Sequence, residues 1–212
     1  MQNPIIIFGA NAIGRMAKEI FEQNEVVVYG FLDDDKSLHN HEIDEVTVLG
    51  ATDDDGFLKL IGKKCESFVA SDDNRLRKSI TKMLNERRHV QPVNAIHKKT
   101  LLASKGEMGH GNFIDTGVIV SVGAKLGHHN LINAGVSLGV TVQIGDYVQI
   151  GAGANIGHVV VIVDVAFIGS GVTVVSGVKI GKGARVGAGS VVVSSVSAGE
   201  TVFGNPAQKV KS

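Results

Sequence analysis

The chain contains no tryptophan, one cysteine and three prolines, and its 21 basic and 21 acidic residues cancel. Each scarcity excludes something. A lone cysteine, Cys65, cannot build an internal disulfide framework; it fits a reducing compartment and reads as a small hydrophobe. Zero formal net charge with 20% charged residues offers no basic stripe for nucleic acid. The longest apolar run, HVVVIVDVAFIG (158–169), is broken by Asp164 and falls well short of the ~20 residues of a membrane span. The opening MQNPIIIFGAN has no basic n-region, and its apolar run is too short for a signal peptide. A soluble cytoplasmic protein is expected. What is plentiful is glycine, 27 residues, and its placement divides the chain.

The first half alternates strand and helix patterns. IIIF (5–8), VVVYGFL (26–32) and SFVA (67–70) read as strands. Residues 12–24 show helical spacing, with Ile13, Ala17, Ile20 and Phe21 on one face. NRLRKSITKMLNERR (74–88) predicts a longer amphipathic helix with Leu76, Ile80, Met83 and Leu84 inward. Such alternation predicts a small parallel sheet covered by helices.

The second half has a period of six. An aliphatic residue recurs from Ile114 at 120, 126, 132 and onward to 192. The residue four later is small or β-branched almost throughout, as in Val118, Ala124 and Val136, with Asn130 the exception. Gly often follows the aliphatic residue, as at Gly127, Gly139, Gly145, Gly151, Gly157, Gly169, Gly181 and Gly187. The register reads as unbroken from 114 to 197, and Leu102 and Met108 extend it backward. This is a hexapeptide-repeat solenoid. Each hexad supplies a short strand with an inward aliphatic side chain and a corner where Gly relieves backbone strain. Three hexads close an 18-residue triangular coil, stacked on the next at the usual strand spacing of ~4.8 Å. The expected fold class is α/β plus all-β: a Rossmann-like sheet over 1–95, then a parallel β-helix with a C-terminal tail over 96–212.

The hexads and the ending TVFGNPAQKV (201–210) resemble the left-handed β-helix acyltransferases. IIIFGANAIGRMAKEI, VYGFLDDD, SDDNRLRKSI and NAIHKKT, in that order, resemble the sialic acid O-acyltransferase (NeuD-type) family, which includes N-acetyltransferases acting on UDP-linked amino sugars such as the bacillosamine precursor. The resemblance covers nearly the whole chain. It implies a homotrimer in which the Rossmann-like domain binds a nucleotide sugar and the β-helix binds acetyl-CoA between neighbouring subunits.

On that reading GANAIG (9–14), between a strand and a helix, places Gly9, Ala10 and Asn11 at the phosphates, where backbone N–H groups at a helix N-terminus favour anions. The alternative is a tight strand-to-helix turn. LDDD (32–35) ends the second strand, and Asp33 and Asp34 are placed to accept from ribose or base; Asp53–Asp55 read as surface. Asn74 matches a family asparagine lining the nucleotide pocket and doubles as a candidate helix N-cap beside Arg77.

The family's catalytic histidine position, before the IGD of 144–146, is Val140, which cannot accept a proton. A second family histidine maps to Gln149. His158, eighteen residues after Val140, is expected one coil further along, where the family usually has a Gly whose N–H meets the acetyl carbonyl. His158 is a substitute base, a side chain that blocks the acetyl site, or a surface histidine. The implied acetyl-CoA contacts are Gln149, Gly151, Gly157, His158, Gly169 and Lys182, with Lys179, Lys182 and Arg185 a candidate cluster for the CoA 3′-phosphate. His110 and His128, eighteen apart, are expected to stack at one corner, and His128 with His129 raises a zinc alternative without an obvious third ligand, since γ-carbonic anhydrases share the fold and bind zinc across a trimer interface. Three functions stand: an acetyltransferase of nucleotide-linked amino sugars in surface-glycan biosynthesis, a non-catalytic trimeric nucleotide-sugar-binding relative, or a zinc enzyme.

Overall fold

A computed structural model describes residues 2–210, in two compact units that divide between Lys98 and Lys99. The first unit holds β1 (Ile5–Phe8), α1 (Ala12–Gln23), β2 (Val28–Leu32), β3 (Glu42–Ile43), β4 (Val46–Gly50), α2 (Asp55–Leu58), β5 (Glu66–Val69) and α3 (Asn74–Arg88). The sheet order is β3-β4-β2-β1-β5, parallel except for β3 against β4. The chain leaves β1 toward β2 on one side and later returns to β5 on the other. The carboxyl ends of β1 and β5 therefore flank the switch point where open α/β sheets bind ligands.

All four β1 residues are buried, as a central parallel strand covered on both faces requires. On one side Ile6, Phe8, Leu32, Val69, Ile80 and Leu84 share a core. On the α1 side Phe21 meets Phe68 edge to face at 5.7 Å. The α1 face is Gly14, Ala17, Ile20 and Phe21, with Ile13 half-buried. In α3 the inward face is Arg77, Ile80, Thr81 and Leu84. Leu76, expected inside, is 42% exposed, and Met83 is only partly buried against the core. The helix is turned by one position because Arg77 is needed inside, for a reason given below.

The second unit is a parallel β-helix of two-residue strands. One face stacks Leu101–Leu102, Ile119–Val120, Ser137–Leu138, Asn155–Ile156, Thr173–Val174 and Val191–Val192; a second begins at Glu107–Met108 and ends at Lys179–Ile180. The third includes Phe113–Ile114, Leu131–Ile132, Gln149–Ile150, Phe167–Ile168 and Arg185–Val186. Partners are eighteen residues apart, as in Ile119↔Ser137 and Lys125↔Gln143. The register shortens near the end: Ile180 pairs Val196 and Arg185 pairs Thr201, sixteen apart. The unbroken register expected to 197 thus stops after the strand at Val191–Val192, and an antiparallel hairpin, Thr201–Gly204 with Ala207–Lys209, finishes the fold.

The hexad core is as its pattern requires, with Ile114, Ile132, Ile150 and Ile168 and the small residues Ala124, Ala154, Ala166 and Ala184 fully buried. Asn130 fits by bonding along the stack. Asn112 Oδ1 accepts from Asn130 N–H at 2.9 Å, and Asn130 Oδ1 accepts from Val148 N–H at 2.7 Å. The Asn130 carboxamide oxygen is satisfied by that bond, whereas its Nδ2 is buried without a hydrogen-bond partner among the described residues.

The glycines that follow the aliphatic residue do not relieve strain at the corner. Positive φ falls elsewhere, at the turn position occupied by glycines such as Gly117, Gly135 and Gly153 and by His129, Thr141, Tyr147, Val159 and Val165. The glycines after the strands are there because coils approach too closely for a side chain. A Cβ on Gly151 would lie 2.4 Å from Ser170 N, and one on Gly157 would lie 2.6 Å from Ser176 N.

Candidate functional site

In the first unit the turn after β1 is shaped by two glycines. Gly9 has φ +107°, and a Cβ there would lie 2.3 Å from Ala70 O; a Cβ on Gly14 would lie 2.0 Å from Gly9 O. These let α1 start hard against the strand ends. Asn11 caps α1, its Oδ1 accepting from Ile13 N–H at 2.9 Å and Gly14 N–H at 3.1 Å. Asn11 Nδ2 donates to Ala70 O at 2.8 Å, tying the turn to the end of β5. Asp33 Oδ2 accepts from Ala10 N–H at 2.8 Å, and its Oδ1 accepts from Asp35 N–H at 2.9 Å. Gly9, Ala10, Asn11 and Asp33 thus form one bonded unit across the ends of β1, β2 and β5.

Asp34 turns elsewhere: its Oδ1 accepts from Thr52 N–H at 2.9 Å and Thr52 Oγ1 at 2.8 Å. The N-cap of α3 is Asp73, whose Oδ1 accepts from Arg75 N–H at 2.7 Å; Asn74 is the first helical residue. Asn74 Oδ1 accepts from Arg77 Nη2, while Arg77 Nη1 donates to Ser71 O. Arg77 is fully buried, and a buried guanidinium must be held by such partners. It braces the loop at Ser71 against Asn74 in the first turn of α3, which is why α3 turns Arg77 rather than Leu76 inward. The visible signal was the i, i+3 spacing of Asn74 and Arg77, which helical geometry makes neighbours.

Asp35 caps the short 3₁₀ turn Lys36–Leu38, and hydrogen bonds from the Ser37 side chain and backbone hold its carboxyl below the usual range. Burial, helped by nearby Glu66, pushes the Cys65 thiol above its ordinary value. A buried, protonated thiol is a structural one, not a nucleophile.

In the β-helix the corner side chains form ladders. Val140 N–H donates to His158 Nδ1 at 2.9 Å, and His158 N–H donates to Ser176 Oγ at 3.0 Å. At a second corner His110 N–H donates to His128 Nδ1 at 3.0 Å, His128 N–H to Asp146 Oδ1 at 2.8 Å, and Asp146 N–H to Asp164 Oδ1 at 3.0 Å. The His110 and His128 rings lie 5.6 Å apart, and the buried His129 stacks on Tyr147 at 4.8 Å. A metal-bound histidine donates from its other ring nitrogen, but His128 Nδ1 is an acceptor here. No group of three His, Cys, Asp or Glu is poised to hold a metal among the described residues.

The residues assigned to acetyl-CoA lie on different faces. Gln149, Gly151 and Gly169 belong to the third face, Gly157 and His158 follow the first, and Lys182 follows the second. Lys179 and Lys182 line a hollow of about 440 Å³ with Val163, Ser195 and Ser197. Arg185 is not part of that cluster; its guanidinium sits 4.5 Å from the centre of the Phe167 ring on the third face.

Residues 4–84 match the PglD N-terminal domain family. No curated protein matches significantly. Among solved structures, a histidine-to-asparagine variant of perosamine N-acetyltransferase from Caulobacter crescentus, in complex with CoA and GDP-perosamine, is 25% identical. That match covers 100% of this chain and 99% of the other at a TM-score of 0.87. WeeI from Acinetobacter baumannii is 27% identical over 98% and 99% of the two chains, with a TM-score of 0.86. The acetyltransferase domain of PglB from Neisseria gonorrhoeae, in complex with acetyl coenzyme A, shares the fold at 22% identity, 99% and 100% coverage and a TM-score of 0.87. Among the described residues no helix is long and apolar enough to cross a membrane. The first unit thus resembles the PglD N-terminal domain, and over its whole length the chain shares the fold of solved acetyltransferases that carry a hexapeptide-repeat β-helix.

Proposed function

We propose that this protein transfers an acetyl group from acetyl-CoA to an amine of a nucleotide-linked sugar, in the cytoplasm and in the service of surface-glycan assembly. The observation that carries the reading is the end-to-end likeness to a nucleotide-sugar N-acetyltransferase variant that holds CoA and GDP-perosamine. That relative binds both ligands although one of its histidines has been replaced. That relative supports ligand binding by a chain with Val140 at the position where the resemblance implies a histidine.

The nucleotide is assigned to the turn Gly9–Asn11, with Asp33 and Asn74 beside it at the switch point. Asp34, engaged with Thr52, is assigned to the scaffold instead. Acetyl-CoA is assigned to Gln149, Gly151, Gly157, His158, Gly169 and Lys182. These lie on three faces of one solenoid, so one copy alone does not gather them, and a homotrimer with acetyl-CoA held between neighbouring subunits is proposed together with this assignment. Val140 has no basic atom, which favours an amine acceptor over a hydroxyl: a neutral amine attacks through its own lone pair, whereas a hydroxyl needs its proton removed.

Calorimetric titration with acetyl-CoA tests this first, followed by nucleotide-linked amino sugars. Micromolar binding of both, with release of free CoA on mixing, is expected. Failure of acetyl-CoA to bind the folded protein would overturn the enzyme reading. The second reading, a nucleotide-sugar-binding protein without turnover, is favoured by Val140 and Gln149 and would show as binding of the sugar alone.

A further inference from the structure

The bond between Val140 N–H and His158 Nδ1, 2.9 Å, fixes where the histidine carries its proton. A backbone N–H only donates, so Nδ1 presents its lone pair. The neutral ring then holds its proton on Nε2. The backbone N–H of residue 158 is also spent, on Ser176 Oγ. What His158 offers outward is one N–H donor, and a ring in that tautomer has no free lone pair with which to take a proton. The position is an acceptor slot, filled at the second corner by His128, Asp146 and Asp164, which accept in the same way.

The surroundings add chemistry. His158 is exposed, and three exposed valines border it at the same corner: Val122 at 49%, Val140 at 36% and Val159 at 60%. Val159 sits at φ +59°, a conformation costly for a β-branched residue and filled by Gly177 one coil on. An N–H donor beside exposed valines, at a corner that also carries Thr141 and Ser176, complements a carbonyl on a short aliphatic chain.

We propose that His158 serves acyl transfer as a hydrogen-bond donor to the thioester carbonyl oxygen, not as a base. The inference rests on the acetyltransferase reading. The acceptor amine attacks the thioester carbon, a C–N bond forms, and the carbonyl electron pair moves onto oxygen opposite His158 Nε2–H. On collapse the oxygen pair re-forms the C=O bond, the C–S bond breaks with its pair leaving on the thiolate, and the ammonium proton passes to water. Preorganised donors of this kind are worth about 10²- to 10³-fold in rate.

Nitrogen NMR of the histidine rings in the full chain, without ligand, reads the tautomer. A protonated Nε2 and unprotonated Nδ1 at residue 158 are expected, and the opposite tautomer overturns the proposal. His158→Gln, which keeps a donor but no base, should retain turnover within about tenfold, and His158→Ala should lose about 10²- to 10³-fold, both at unchanged melting temperature. Equal loss in the two variants would restore a base, and a gain in His158→Ala would mark a blocking side chain; either sinks the donor role. In a binding readout, wild type should prefer acetyl-CoA over CoA and His158→Ala should not. The expected tautomer with no binding of acetyl-CoA would overturn the acetyltransferase reading and leave the protonation assignment standing.

Discussion

Gly151 and Gly135 occupy different positions of the hexad, and replacing each by alanine separates two physical reasons for glycine. Gly135 has φ +68°, and an added methyl there would meet nothing within 4 Å. Its alanine variant suffers only the left-handed backbone penalty, about 1–2 kcal/mol. Gly151 lacks positive φ, but its methyl would sit 2.4 Å from Ser170 N and 2.7 Å from Ser170 Cα. Relieving that contact requires the coils to part by about 1 Å, since ordinary contact begins near 3.4 Å. The adjacent ladder bonds, Gly151 N–H to Ile168 O at 2.8 Å and Gly171 N–H to Ala152 O at 2.9 Å, then stretch. At about 1 kcal/mol per bond plus lost packing, the cost is about 3–4 kcal/mol. Denaturant unfolding followed by circular dichroism, without ligand, should give Gly151→Ala the lower midpoint. Equal losses, or a larger loss in Gly135→Ala, would refute the close-approach argument. Gly151 is also an assigned acetyl-CoA residue, so the ligand-free assay decides whether its glycine is already required by the scaffold.

Val140→His places a second ring at the corner of His158 and should raise turnover with hydroxyl-bearing acceptors, where a base contributes about 10²-fold or more; steady-state assays showing no gain would mean that the corner does not face the acceptor. Asp33→Ala strips the acceptor from Ala10 N–H and Asp35 N–H and should weaken nucleotide-sugar binding about tenfold with little effect on acetyl-CoA, as calorimetry would show. The Arg15 guanidinium bonded to Asp44 at 2.7 and 3.0 Å holds that carboxyl below its usual value. A depressed folded value means stability present above the ordinary carboxylate range and lost as pH falls through the folded value, below about 4; Asp44→Asn should flatten that part of the acid unfolding curve.

The solenoid was legible because its signal is a repeat: an inward aliphatic residue every six positions is enforced by every coil. The Rossmann-like half was legible where apolar runs were long, at Ile5–Phe8 and along α1. The β3–β4 hairpin was not, because Asp44 and Glu45 adopt positive φ at its turn, where Asn-Gly or Asp-Gly would have announced it. The α3 face was misjudged at Leu76 because hydrophobicity could not reveal that a loop needed Arg77 beneath it. Site residues on the first unit share one end of the sheet, which strand order dictates. Those on the β-helix were assigned from resemblance, and position modulo eighteen alone sends Gln149, His158 and Lys182 to separate faces. The protonation of His158 depends on a backbone bond between coils, invisible in any linear pattern.

The eighteen-residue pairing also makes length a quantised property of this protein. Removing or adding one full coil would translate everything downstream along the axis while each strand kept its face and each corner side chain its upstream N–H. Removing six residues would instead rotate every later residue onto the next face, moving Lys179 and Lys182 away from the edge they now share. Evolution can therefore lengthen or shorten the rod in steps of one coil, about 4.8 Å, without redesigning its walls. The distance between the His158 corner and the end of the rod is a variable that such steps alone can tune.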